Sequence, residues 1–75
     1  MRKWLKSLRI DKKMTLREVG KKLGISESYY CAIENGERQK NMDITLASGI
    51  SMVFSIPVSK IIEMENDWKK VNKPK

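Results

Sequence analysis

The sequence predicts an all-α domain of five helices, and three observations carry that prediction. Apolar residues recur at the three- and four-residue spacing of a helix face through most of the chain. Thr15, Ser26 and Asp43 each stand immediately before such a stretch, where a short polar side chain can cap a helix. No segment makes a convincing strand by sustained alternation of apolar and polar residues.

The first helix spans roughly residues 2–12, with Met1, Leu5 and Leu8 on one face and Trp4 beside them. The second follows Thr15. Thr15 with Glu18 three residues later forms a capping box, in which each side chain satisfies an otherwise unpaired amide. Met14 and Val19 supply the flanking apolar pair, and Leu16, Val19, Gly20 and Leu23 follow one face. Gly24 then falls where a helix C-terminus needs a left-handed residue. Ile25 is expected to be buried in the turn and to pair with Tyr30 across the next cap, Ser26. The third helix runs to about Asn35 and stops at Gly36. Two helices of eight or nine residues joined by a short turn containing Gly have helix-turn-helix spacing.

Residues 36–43, "GERQKNMD", read as a polar loop. Asp43 caps a fourth helix whose apolar side is Ile44, Ala47, Ile50, Val53 and Phe54. Gly49 inside it costs about 1 kcal/mol of helix propensity. Pro57 suits the start of a fifth helix carrying Val58, Ile61, Ile62, Glu65 and Trp68 at helical spacing. Residues 1–68 are expected to form one domain, with the motif at about 15–35. Residues 69–75 form a basic tail expected to fray.

Composition narrows the function. Seventy-five residues make one small domain with a limited core. At 40% apolar and 33% charged, the chain suits a folded soluble domain and not a disordered one. One cysteine and no histidine leave no internal disulfide, and no zinc site or other cofactor is expected. A reducing, cytoplasmic setting fits this cysteine usage. No apolar run approaches the ~20 residues of a membrane span. The basic, amphipathic start reads as a domain helix, with a membrane-surface helix as the weaker alternative. An enzyme is disfavoured, because there is no histidine, no useful acidic pair and no phosphate-cradling Gly loop.

The formal net charge is +7 and is unevenly placed. Residues 1–22 carry net +7, residues 23–43 net −2, and residues 44–75 net +2. A concentrated basic half points to a polyanion, most simply nucleic acid. Solubility alone is the competing explanation.

The stretch "MTLREVGKKLGISESYYCAIENGER" resembles the helix-turn-helix core of the lambda-repressor/Cro-like family, also called the XRE family. Thr15 with Glu18, Val19, the turn Leu23, Gly24, Ile25 and Ser26, then Ile33, Glu34, Asn35 and Gly36 carry the likeness. It extends into "LKSLRI" before and "DITLASGISMVFSIPVSKII" after, covering about residues 4–62. The resemblance implies a five-helix fold, binding to a double-stranded DNA operator, and a homodimer with the third helix in the major groove. It also implies an ion pair between Arg9 and Glu34. The chain departs from the family in having Leu16 where Gln is common. Its loop after Gly36 is also about two residues longer and lacks the usual proline.

The positions implied at the DNA are Thr15, Arg17, Lys21, Ser26, Glu27, Ser28, Tyr29, Ala32, Asn35, Arg38 and Lys40. Glu27 can accept from a cytosine amino group, or can simply favour the positive end of its helix. Ser28 discriminates weakly, and Ala32 can touch a thymine methyl. Tyr29 is divided between DNA contact and surface packing, whereas Tyr30 reads as core. Cys31 reads as a small filler, not a redox sensor. Arg17, Lys21, Lys22, Arg38 and Lys40 would hold phosphates while the less charged recognition helix reads bases.

With so few long readers, DNA shape would carry part of the specificity. Val58, Ile61, Ile62, Met64 and Trp68 exceed what one helix needs for its own core, and suggest dimerisation. The competing view closes Trp68 onto the first helix. The expectation is a phage or mobile-element type repressor without a sensing domain or small-molecule ligand. The alternatives are an antitoxin, or an interaction module that kept the fold and lost DNA binding.

Overall fold

A computed structural model describes residues 1–71 as five helices with no strand among them. They are α1 (Lys3–Asp11), α2 (Leu16–Leu23), α3 (Glu27–Asn35), α4 (Ile44–Phe54) and α5 (Val58–Val71). Each of the three expected caps forms. The Glu18 amide donates to Thr15 Oγ1 at 3.1 Å, and the Thr15 amide donates to Glu18 Oε1 at 2.8 Å, closing the capping box. Ser26 Oγ accepts from the Tyr29 amide, and Asp43 Oδ1 accepts from the Leu46 amide at 2.7 Å. Gly24 ends α2 at φ 75°, and Gly36 ends α3 at φ 83°. That region costs an L-residue about 1–2 kcal/mol and glycine almost nothing.

The core draws from every helix: Leu5 of α1, Val19 of α2, Tyr30 and Ile33 of α3, Ala47, Ile50 and Phe54 of α4, and Ile61 of α5. Helix α2 packs on both α3 and α4, α4 packs on α5, and α1 reaches α3 and α5. No single helix among the described residues is long and apolar enough to cross a membrane. The apolar pair α4 and α5 is bent by 115° and places Ala47, Ile50, Phe54 and Ile61 in the core.

Three expectations are corrected. Ile44 is 69% exposed, because the buried face of α4 is set by Ala47, Ile50 and Phe54, and Ile44 in the first turn lies off it. Ile61 has no exposed surface, so it belongs to the protomer's own core and is unavailable to a second copy. The fifth helix extends past residue 68 into the expected tail: α5 continues to Val71, and Lys69 Nζ donates to Asn41 Oδ1 at 3.1 Å. The rest of the expected tail, residues 72–75, lies outside the described residues.

A buried cation joins the ends of the chain. Arg2, just before α1, is fully buried. Its Nε and Nη2 donate to the two carboxylate oxygens of Glu65, each at 2.8 Å. The guanidinium also donates to the carbonyls of Ile33, Arg38 and Gln39, and lies over the Trp68 ring, 4.5 Å from its centroid. The last residues of α3, the following loop and α5 are thereby tied to one planar donor group. Only a guanidinium supplies enough donors, in a fixed fork, for such a set.

Candidate nucleic-acid interface

Helices α2 and α3, with the turn between them, form the candidate surface. The turn is tight because Gly20 lets it approach: a Cβ there would stand 3.1 Å from the Ile25 carbonyl and 3.2 Å from that of Ser26. The Ile25 amide donates back to the Gly20 carbonyl at 2.9 Å. These contacts set how α3 projects from α2, and hence where its first turn presents its side chains.

On that first turn, Glu27 and Ser28 are exposed, Tyr29 is half-buried and Tyr30 is buried. Thr15, Arg17, Lys21, Lys22, Ser26, Asn35, Arg38 and Lys40 are all exposed, and Ala32 is half-buried. The Thr15 and Ser26 hydroxyls accept from amides in their caps. Asn35 Nδ2 lies 3.6 Å from Cys31 Sγ. Arg17 Nε stands 3.6 Å from Glu27 Oε1, so the two charged side chains face each other across the motif. This exposed pair adds little stability, because water screens it. Its consequence is local: the Glu27 charge is offset by the neighbouring guanidinium. Lys22, Tyr29 and Gln39 line one groove between the motif and α4.

Below the surface, Arg9 Nε and Nη2 donate to the two Glu34 oxygens, each at 3.0 Å. Arg9 Nη1 also reaches the Met14 carbonyl at 3.1 Å. The pair implied by the resemblance is therefore present, and it spans from α1 to the end of α3. The hydrogen bond and charge of Glu34 raise the Arg9 pKa against the opposing effect of burial. Burial first, and then the neighbouring Glu34, push the Tyr30 phenol far up, so it stays neutral. The hydrogen bonds from the Thr15 amide and hydroxyl hold the Glu18 carboxyl below its ordinary value.

Three residues that hold this surface in shape escaped the sequence reading: Arg2, Gln39 and Glu65. Glu65 carried a signal, since it follows Ile61 by four residues on the apolar stripe of α5, and a buried carboxylate requires a partner. Nothing in the sequence marks Arg2 or Gln39 as that partner or its neighbour.

Comparison with known proteins gives the same assignment. A helix-turn-helix family model matches residues 5–61. An uncharacterized HTH-type transcriptional regulator, YqaF of Bacillus subtilis (strain 168), is 41% identical over 54 residues, covering 72% of this chain and 71% of that protein. No solved structure matches at a significant level. With the caps, turn and Arg9–Glu34 pair in place, the chain belongs to the XRE family of helix-turn-helix proteins.

Proposed function

We propose that this protein is a sequence-specific DNA-binding transcriptional regulator, a cytoplasmic repressor of the phage or mobile-element type. The carrying observation is the exposed first turn of α3, with Arg17 beside Glu27 and Lys22 lining the same groove as Tyr29, while the other cations of α2 and of loop 36–43 are exposed. Helix α3 enters the major groove, Glu27 and Ser28 meet base edges, and the surrounding Lys and Arg hold phosphates. The YqaF relative, a transcriptional regulator by name, supports this reading. Regulation follows from occupancy of an operator, with no ligand, metal or catalytic step.

The regulator works as a homodimer, because one small helix-turn-helix gains useful affinity only on paired half-sites. Val58, Ile62, Met64 and Trp68 remain the candidate contacts once Ile61 is assigned to the core. Two of the four, Met64 and Trp68, line a groove of about 460 Å³ between α1 and α5, with Met1, Trp4 and Val71 as its other apolar residues and Lys3 and Asp67 as its charged ones. Sedimentation tests the dimer: a monomer at high concentration, with one protomer per DNA site, excludes it.

The test of function is selection from random duplex DNA with the full chain, followed by affinity measured against salt. A recovered two-fold site, with log K falling linearly in log salt, is the expected result. No sequence preference and no salt-dependent affinity would leave a protein-interaction module, such as an antitoxin that docks its partner elsewhere.

A further inference from the structure

We infer that Tyr29 donates its hydroxyl proton to a DNA phosphate, and that Gln39 is the positioning residue that orients it. This rests on the reading that α3 docks on DNA. Gln39 lies in the loop after α3, ten residues from Tyr29, yet its Nε2 donates to Tyr29 Oη at 2.9 Å. Its Oε1 accepts from the Asp43 amide at 3.1 Å. Both ends of the side-chain amide are engaged, and the Asp43 amide can only donate. The oxygen of Gln39 therefore faces Asp43, and its nitrogen faces Tyr29.

The backbone beneath is fixed as well. Gln39 sits at φ 55°, a region that non-glycine residues seldom occupy. The buried Arg2 guanidinium holds it there by donating to the Gln39 carbonyl, and to that of Arg38 at 3.1 Å. Glu65 fixes Arg2 in turn through two bonds of 2.8 Å. A chain of contacts thus runs from the core to one hydroxyl on the DNA face.

That hydroxyl keeps its own proton to donate. A phenol can donate once and accept through its lone pairs. With the Gln39 amide filling an acceptor position, the proton points elsewhere, and the donor position left open suits an acceptor. Accepting a hydrogen bond also polarises the O–H and strengthens its donation. Tyr29 stands in the first turn of α3, at the positive end of the helix dipole, and Lys22 lines the same groove. An anionic phosphate oxygen fits this setting better than a base edge.

The test uses the full chain and a DNA site recovered by selection, with wild type, Tyr29→Phe, Gln39→Met and the double variant. Tyr29→Phe should weaken binding about tenfold on all sequences alike, the scale of a hydrogen bond to a charged group. Its salt slope should stay unchanged, since a neutral donor displaces no counterion. Gln39→Met should lose a similar factor, and the double variant should bind no worse than Tyr29→Phe. In the free protein, Gln39→Met should shift the Tyr29 ring resonances.

Wild-type affinity for Tyr29→Phe, in a chain that binds DNA, overturns the proposal and leaves the DNA reading intact. Additive losses also overturn it, by showing that Gln39 touches DNA itself. If Gln39→Met lowers thermal stability, Tyr29→Phe decides alone, because it removes one oxygen and leaves the loop in place. A wild type without salt-dependent DNA affinity overturns the functional reading and this inference together.

Discussion

Arg9 and Glu34 meet as a two-pronged pair, both bonds 3.0 Å long, with Glu34 only 4% exposed at its side chain and Arg9 15%. The difference in exposure makes the two partners unequal. Arg9→Ala strands a buried carboxylate beside Tyr30, whereas Glu34→Ala leaves a cation that still reaches water and the Met14 carbonyl. Arg9→Ala should cost about 3 kcal/mol, the low end for breaking a buried pair, and Glu34→Ala less. Urea unfolding of both variants checks the order.

Arg2 and Glu65 should matter more to the fold. Both are nearly inaccessible, and Arg2 also satisfies three backbone carbonyls. Arg2→Ala should cost about 3–5 kcal/mol. In a domain this small, each kcal/mol lowers Tm by roughly 4–8 °C, so a fall of more than about 12 °C is expected. Glu65→Gln, which keeps size and one acceptor, should fall between wild type and Arg2→Ala. Thermal melts followed by circular dichroism give the ranking.

Gly20 and Gly24 should respond differently to alanine. A Cβ at Gly20 presses on the Ile25 and Ser26 carbonyls, so Gly20→Ala must push α2 away from the start of α3. A Cβ at Gly24 meets nothing, and Gly24→Ala carries only the left-handed backbone cost of about 1–2 kcal/mol. DNA affinity, compared at a temperature where both variants are folded, should fall for Gly20→Ala and hold for Gly24→Ala.

The capping box gives stability a defined acid limit. Its hydrogen bonds with Thr15 hold Glu18 below its unfolded value, so below about pH 4.3 the unfolded chain takes up a proton that the folded chain resists. The Glu18 contribution is therefore complete above that pH, and is lost as pH falls through the depressed folded value. Glu18→Gln should remove this part of the acid dependence. Unfolding midpoints of both proteins from pH 6 down to about 2.5 should converge at the acid end.

Arg17 and Glu27 should have opposite effects on DNA affinity. Arg17→Ala removes a cation and uncovers the Glu27 charge, 3.6 Å away. Binding should weaken on every sequence, and the salt slope should fall by about one unit. Glu27→Gln should raise non-specific affinity. If Glu27 reads a cytosine, it should also relax preference at one base pair by ~1–3 kcal/mol. Titrations at several salt concentrations, on specific and scrambled duplexes, separate the two effects.

What the sequence determined by itself is the local structure. The helices, their caps at Thr15, Ser26 and Asp43, and the stops at Gly24 and Gly36 all rest on contacts within four residues, which spacing encodes directly. The Arg9–Glu34 pair was legible only through the family resemblance, since nothing local joins residues 25 positions apart.

Tertiary structure alone decided the rest. It buried Ile61, left Ile44 at the surface, placed Arg17 against Glu27, and joined Arg2 to Glu65 across 63 positions. It also brought Gln39 under Tyr29, through a loop whose interior has no periodicity to announce its path. Side-chain pairing at such separations depends on how whole helices cross, and helix crossing follows from the summed shape of the core. No short stretch of sequence carries that sum, so the residues that support the candidate DNA face became visible only once the chain was folded.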